Sequence, residues 1–190
     1  MKFVIYTANC TCNAANCDYP NKVVVDNEQA LKDAVKKDHV CASYKNNHRS
    51  NDNFISSDVI VMDVDNDHTE NPDAFITADK MDELFPDISY CLVPSRHHML
   101  PKGTHPAAPR FHVMFPIEEI KSAAAYAEAK ELLYKMYPFF DENALDAARF
   151  LYGCAVSDVV WHEGWLSIMD EISDGDLIED LNDGFDAPAS

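Results

Sequence analysis

The chain has 190 residues, 47% of them hydrophobic, enough to bury one real core and favouring one domain over two. Its 33 acidic against 15 basic residues give a formal net charge of −18, which argues against tight, nonspecific binding of duplex nucleic acid, because phosphate neutralisation needs clustered Lys and Arg. No run of eighteen apolar residues occurs, and the apolar start from Met1 to Tyr6 is too short for a signal peptide, so a cytoplasmic protein without a membrane partner is expected. In that compartment the six cysteines read as reduced thiols rather than a disulfide framework.

Phe3 to Thr7 and Lys22 to Val25 read as short strands around a Cys-containing loop. Cys10, Cys12 and Cys17 lie in that loop without an obvious fourth ligand, which favours incidental thiols over zinc. Asp26 or Asn27 is placed to cap a helix over 27–37. His39 to Tyr44 is a further strand candidate, followed by a polar loop over 45–53 that is basic at Lys45 and Arg49.

The stretch from Asp58 to Asp67 is the most informative. A β-branched, apolar run ends in Asp63 and Asp65, and strand alternation sets Val59, Val61, Asp63 and Asp65 on one face, with Ile60, Met62 and Val64 behind. Two carboxylates so close repel one another, and burying them is costly, so they either hold a divalent cation or stay solvated in a turn.

Beyond them, Thr77 caps a short helix over 78–85 that ends at Pro86, and Ile88 to Pro94 returns as a strand. Residues 95–109 form a long loop whose Pro and Gly residues forbid regular structure, a length usually functional or mobile in a compact domain. Arg110 to Phe115 alternates as a strand with Arg110, His112 and Met114 on one face. Ser122 to Tyr137 is the clearest helix, and Val159 to Trp161 and Trp165 to Ile168 suggest a closing strand pair. From Asp170 onward there are eight acidic residues and no Lys or Arg, the pattern of a frayed tail with at most a brief helix.

Taken in order, Val61-Met62-Asp63-Val64-Asp65-Asn66-Asp67-His68, Ser95-Arg96-His97-His98-Met99 with Pro109-Arg110-Phe111-His112-Val113, and Phe140-Asp141-Glu142-Asn143 running to Arg149 and Gly153 resemble the archaeo-eukaryotic primase superfamily, most closely its phage and plasmid primase-polymerase branch. The resemblance covers about residues 39 to 165. It implies an α+β fold, a primase-like (RRM-like) catalytic sheet with flanking helices, in a single domain over 1–169 followed by an acidic tail over 170–190. It implies a DNA primase or polymerase, a nucleotidyltransferase that makes primers on a single-stranded DNA template from nucleoside triphosphates. By the same resemblance Asp63, Asp65 and Asp141 hold Mg2+ or Mn2+, and His112 contacts the phosphates of the incoming nucleotide. Asp146 competes with Asp141 for the third carboxylate.

The residue types suit that chemistry. Two cations stabilise the attacking and leaving oxygens of nucleotidyl transfer, and hard carboxylate oxygens select Mg2+ or Mn2+. Arg110 and Arg149 carry the planar fork that grips phosphate, and Ser95 and Arg96 stand where the family has nucleotide-contacting loop residues. No G-x-x-x-x-G-K-[ST] occurs, so a helicase or other replication protein is expected as a separate partner. Two other readings remain open: a metal-dependent nuclease using Asp63, Asp65 and the histidines at 97, 98 and 112, and a non-catalytic replication-associated binding module.

Overall fold

A computed structural model describes residues 1–156 and 158–173. Two antiparallel sheets form its frame. In the first, β1 (Phe3–Thr7) lies between β2 (Asn21–Val25) and β3 (His39–Val40), and β8 (Phe150–Leu151) pairs with β3 at the edge. In the second, the order is β4 (Ser43–Tyr44), β5 (Phe54–Val64), β7 (Phe111–Ile120), β6 (Tyr90–Pro94) and β9 (Val160–His162). The helices are α1 (Glu28–Ala34), α2 (Ala78–Leu84) and α3 (Ala123–Met136), with residues 168–173 also helical. This is the mixed α+β, single-domain class that the sequence suggests. No described helix is long and apolar enough to cross a membrane.

Strand β5 organises the interior, because it is buried on both faces. Val59 and Val61 face a cluster with Phe3, Ile5 and Leu31, while Ile60, Met62 and Val64 face a second cluster with Tyr126, Leu133 and Phe140. Each such side chain contributes roughly 1.5–3 kcal/mol of apolar burial. The two sheets are tied across the first cluster by Asp58, whose Oδ1 accepts a hydrogen bond from the Val4 amide at 2.9 Å.

Local chemistry sets the helix ends. Asn27, Thr77 and Ser122 each accept from the amide three residues on, capping α1, α2 and α3. Helix α1 stops at Ala34, short of the expected 37, where the chain turns with the Lys37 amide donating to the Ala34 carbonyl at 3.3 Å, and Asp38 follows that turn. Its carboxylate accepts from the amides of Cys12 and Asn13, both at 2.8 Å, and of Gly153 at 2.7 Å. The Cys-containing loop is thereby organised around a carboxylate. Among the described residues, no three His, Cys, Asp or Glu side chains gather to hold a metal ion. A Cβ at Gly153 would stand 2.5 Å from the Lys37 carbonyl carbon, so only glycine allows this approach.

Two expectations for strands need correcting. The run from His39 to Tyr44 is not one strand: it crosses at Cys41 and Ala42 from the first sheet to the second, and both residues are buried in the crossing. Trp165 to Ile168 is not a strand either. Only the Ile88 and Leu166 bridge forms, and then Ile168 and Ile172, four apart, anchor the helical residues 168–173 in the core. The boundary expected between 169 and 170 falls inside that helix, and the rest of the acidic tail, 174–190, lies outside the described residues.

Candidate active site

Asp63 occupies the second-last position of β5, directly opposite His112 of β7 in the strand register. His112 Nδ1 lies 2.8 Å from Asp63 Oδ1, and Arg149 Nη2 donates to the other oxygen, Oδ2. Arg149 immediately precedes β8, so this pair of contacts joins the first sheet to the end of the second. Asp63 is only 4% exposed. Burial alone would raise its pKa, but His112, Arg149 and Lys130 outweigh that and hold the carboxyl well below the usual carboxylate range. Lys130 lies fully buried on α3, where loss of solvent pushes its pKa down to about 8 against the pull of Asp63 and Asp146.

These groups open on a cavity of about 280 Å³. Asp63, His112 and Arg149 line it together with Asp65, Ser95 and Arg96, so six of the side chains singled out from sequence share one cleft. His97, Lys102 and Tyr152 also line it, and sequence reasoning gave none of these a leading role. The long loop places the first two. Because it folds back over the β5 end, its tip lysine reaches Asp65 Oδ2 at 2.5 Å and Asp67 Oδ2 at 3.1 Å. Burial lowers the pKa of Lys102, and the two carboxylates raise it by more.

Arg110 departs from the expectation that it grips phosphate beside His112. It precedes β7, is 1% exposed and faces the inside of the loop, where all five N–H groups are engaged. Nε and Nη2 donate to Asp67 Oδ1 at 3.3 and 3.0 Å, Nη1 to the carbonyls of Leu100 and His97 at 2.7 and 3.4 Å, and Nη2 to Pro106 at 3.0 Å. With its donors spent, Arg110 holds the loop's shape and has none left for a ligand. Asn66 performs a similar task at the start of the turn. Its φ of 55° is a backbone conformation that asparagine tolerates, and its amide donates to the carbonyls of Ile76 at 2.9 Å and Pro109 at 2.7 Å.

Asp141 meets Asp63 through the main chain. Its backbone amide donates to the Asp63 carbonyl at 2.9 Å, but its carboxylate accepts from the backbone and side chain of Asn143 and lines an adjoining cavity of about 370 Å³. Asp65 and Lys102 line both cavities and form the partition between them. Asp146 lines neither: its carboxylate accepts from the Ala148 amide, and it borders a separate depression beside α3. The three carboxylates expected to converge are thus arranged as a buried anchor, Asp63, a partition, Asp65, and a residue of the next cavity, Asp141.

For a divalent cation, the donor chemistry fits best at Asp65. The Lys102 ammonium shows that Asp65 and Asp67 together hold a positive charge, and carboxylate oxygens suit a hard ion. Asp63 could add an oxygen only by sharing one with His112 or Arg149.

No family model matches the chain, and no curated protein matches it in sequence. Among solved structures, it is similar to the AEP domain of the primase-polymerase (PrimPol) of cyanophage S-2L. The identity is 13%, the match covers 91% of this chain and 87% of that one, and the TM-score is 0.50, a likeness of fold.

Proposed function

We propose that the protein is a metal-dependent nucleotidyltransferase of the archaeo-eukaryotic primase type, a DNA primase or polymerase that joins nucleoside triphosphates on a single-stranded DNA template. One observation carries this reading: Asp63 spends both oxygens in holding His112 and Arg149 against a cleft that Asp65 also lines. In a chain of net charge −18, a pocket that collects Arg96, Arg149, His97, His112 and Lys102 is built for a polyanion, and the carboxylate beside it suits the metal that such a polyanion carries. The fold it shares with a phage primase-polymerase domain agrees with this.

Arg149 and His112 bind and orient the triphosphate, with Arg149 supplying a fixed positive charge and His112 presenting Nε2, which has no protein partner among the described residues. Asp65 and Asp67, with Asp141 lining the same cavity and any Asp63 oxygen shared with His112 or Arg149, would hold Mg2+ or Mn2+, which would supply charge neutralisation at the attacking 3′-oxygen and the pyrophosphate leaving group. The acidic remainder of the surface is a poor match for DNA, so a helicase or other replication protein is proposed to deliver the template.

The test is primer synthesis by the full chain on single-stranded DNA with Mn2+ and labelled nucleoside triphosphates. Wild-type product formation, reduced on the order of 100-fold or more by Asp65→Asn and by Arg149→Ala in folded protein, is the expected result. Failure to synthesise or extend primers, together with failure to bind triphosphates, would favour the non-catalytic reading. Template cleavage without added nucleotides would favour the nuclease.

A further inference from the structure

Part of the cleft lining has a composition that phosphate binding does not explain. Tyr152 follows β8, and the Arg96 guanidinium carbon lies 3.8 Å from the centre of its ring, the separation of two stacked planar groups. Phe150 meets Tyr152 edge to face at 4.8 Å, and Arg49 covers Phe150 at 4.8 Å. The result is a row of guanidinium, ring, ring and guanidinium. Arg49 is tied down at one end by donating to the Ala148 carbonyl at 2.9 Å, and Arg96 forms the exposed end.

Arg96 differs from the other cations of the cleft. Arg149 is ion-paired with Asp63 and Lys102 with Asp65, whereas Arg96 has no carboxylate partner among the described residues. Its position is set by the ring beneath it. A guanidinium held on one face by an aromatic ring leaves a flat π-surface on the other, and such surfaces take nucleobases regardless of sequence.

We propose that the Arg96 and Tyr152 pair is the base-stacking subsite of the cleft, receiving the nucleobase of a nucleoside triphosphate on the outer face of the Arg96 guanidinium. This rests on the nucleotide reading of the cleft and adds to it a division of labour. Arg149 and His112 hold the phosphates at the β5 end, and the stacked pair holds the base at the β8 end. Stacking tolerates every base, so the subsite contributes affinity without choosing among them.

The experiment compares two ligands by calorimetry on the full chain with Mn2+: a nucleoside triphosphate and inorganic tripolyphosphate, which has the charge but no base. Wild type is expected to favour the nucleotide by roughly 10-fold. Tyr152→Ala and Arg96→Lys should abolish that preference, with tripolyphosphate affinity falling less than nucleotide affinity, since the lysine keeps the charge and loses the plane. Tyr152→Leu, which keeps apolar bulk at this half-buried position, guards against a folding defect and should behave like the alanine variant. Retention of the preference by Arg96→Lys, or equal loss of both ligands in that variant, would overturn the stacking role. Binding of tripolyphosphate by wild type with no preference for the nucleotide would also defeat it and leave the phosphate site standing. Binding of neither ligand would defeat the nucleotide reading itself.

Discussion

Asp63 and His112 are register partners on neighbouring strands, joined side chain to side chain at 2.8 Å, and Arg149 completes the set from the other sheet. Removing the carboxylate's charge leaves Arg149 half-buried without its ion. Asp63→Asn should therefore lower stability by about 3 kcal/mol at pH 7. Because the Asp63 carboxyl is held below its ordinary range, its contribution is present above the unfolded value and is lost as pH falls through the folded one. Urea unfolding should show wild type and variant converging in acid, below about pH 3, rather than at pH 5. A variant as stable as wild type at pH 7 would show that the pair contributes nothing.

His39 produces a different pH window. It is 1% exposed, with Nδ1 against the Lys37 carbonyl at 2.8 Å and Nε2 unpartnered among the described residues, and burial pushes its pKa down to about 4. Between that value and the unfolded value of about 6.5, the unfolded chain binds a proton that the folded chain refuses, so stability falls as pH falls. The loss approaches about 3 kcal/mol across the window. His39→Gln should flatten the fall in urea midpoint between pH 6.5 and 4.5. An unchanged slope would assign the effect to other groups.

Arg110 is expected to act on the loop rather than on the ligand. A lysine offers three donors where five are engaged, so Arg110→Lys should cost roughly 2–5 kcal/mol by leaving Asp67 and the loop carbonyls short of partners. Limited proteolysis should then cut within 95–109, at sites protected in wild type. Loss of triphosphate binding with the loop still protected would restore Arg110 to a direct role.

Lys102 competes with any cation for Asp65. Lys102→Ala should tighten Mn2+ binding, measured by electron paramagnetic resonance, by about 2- to 5-fold, as expected for removing one half-exposed positive charge. Weaker Mn2+ binding in the variant would mean that the lysine supports the site.

The anchoring strand was legible in the sequence because β5, buried on both faces, reads as a continuous β-branched and apolar run, with Asp63 at its end and Asp65 just beyond it. The sequence also brought His112 and Arg149 to the cleft. Arg110 was misread because strand alternation was extended one residue too far, across the start of β7, where the loop's carbonyls compete for the guanidinium. Lys102 and Tyr152 were missed for another reason. Their roles depend on how a loop of irregular backbone folds over β5 and on a two-residue strand, β8, that leaves almost no periodic signal. The buried Lys130 sits in an Ala-, Glu- and Lys-rich helix, where a lysine reads as solvent-facing until the neighbouring elements are in place.

The proposed function requires a cleft in which Asp65 holds a metal and Arg149 and His112 hold phosphate. Crystals soaked with Mn2+ and a nucleoside triphosphate, with anomalous scattering recorded for manganese, test this most directly. The expected map has a manganese peak on Asp65 in place of the Lys102 ammonium, with triphosphate oxygens on Arg149 and His112. Manganese and nucleotide bound elsewhere, with the Asp65 and Lys102 pair intact and the cleft empty, would contradict it.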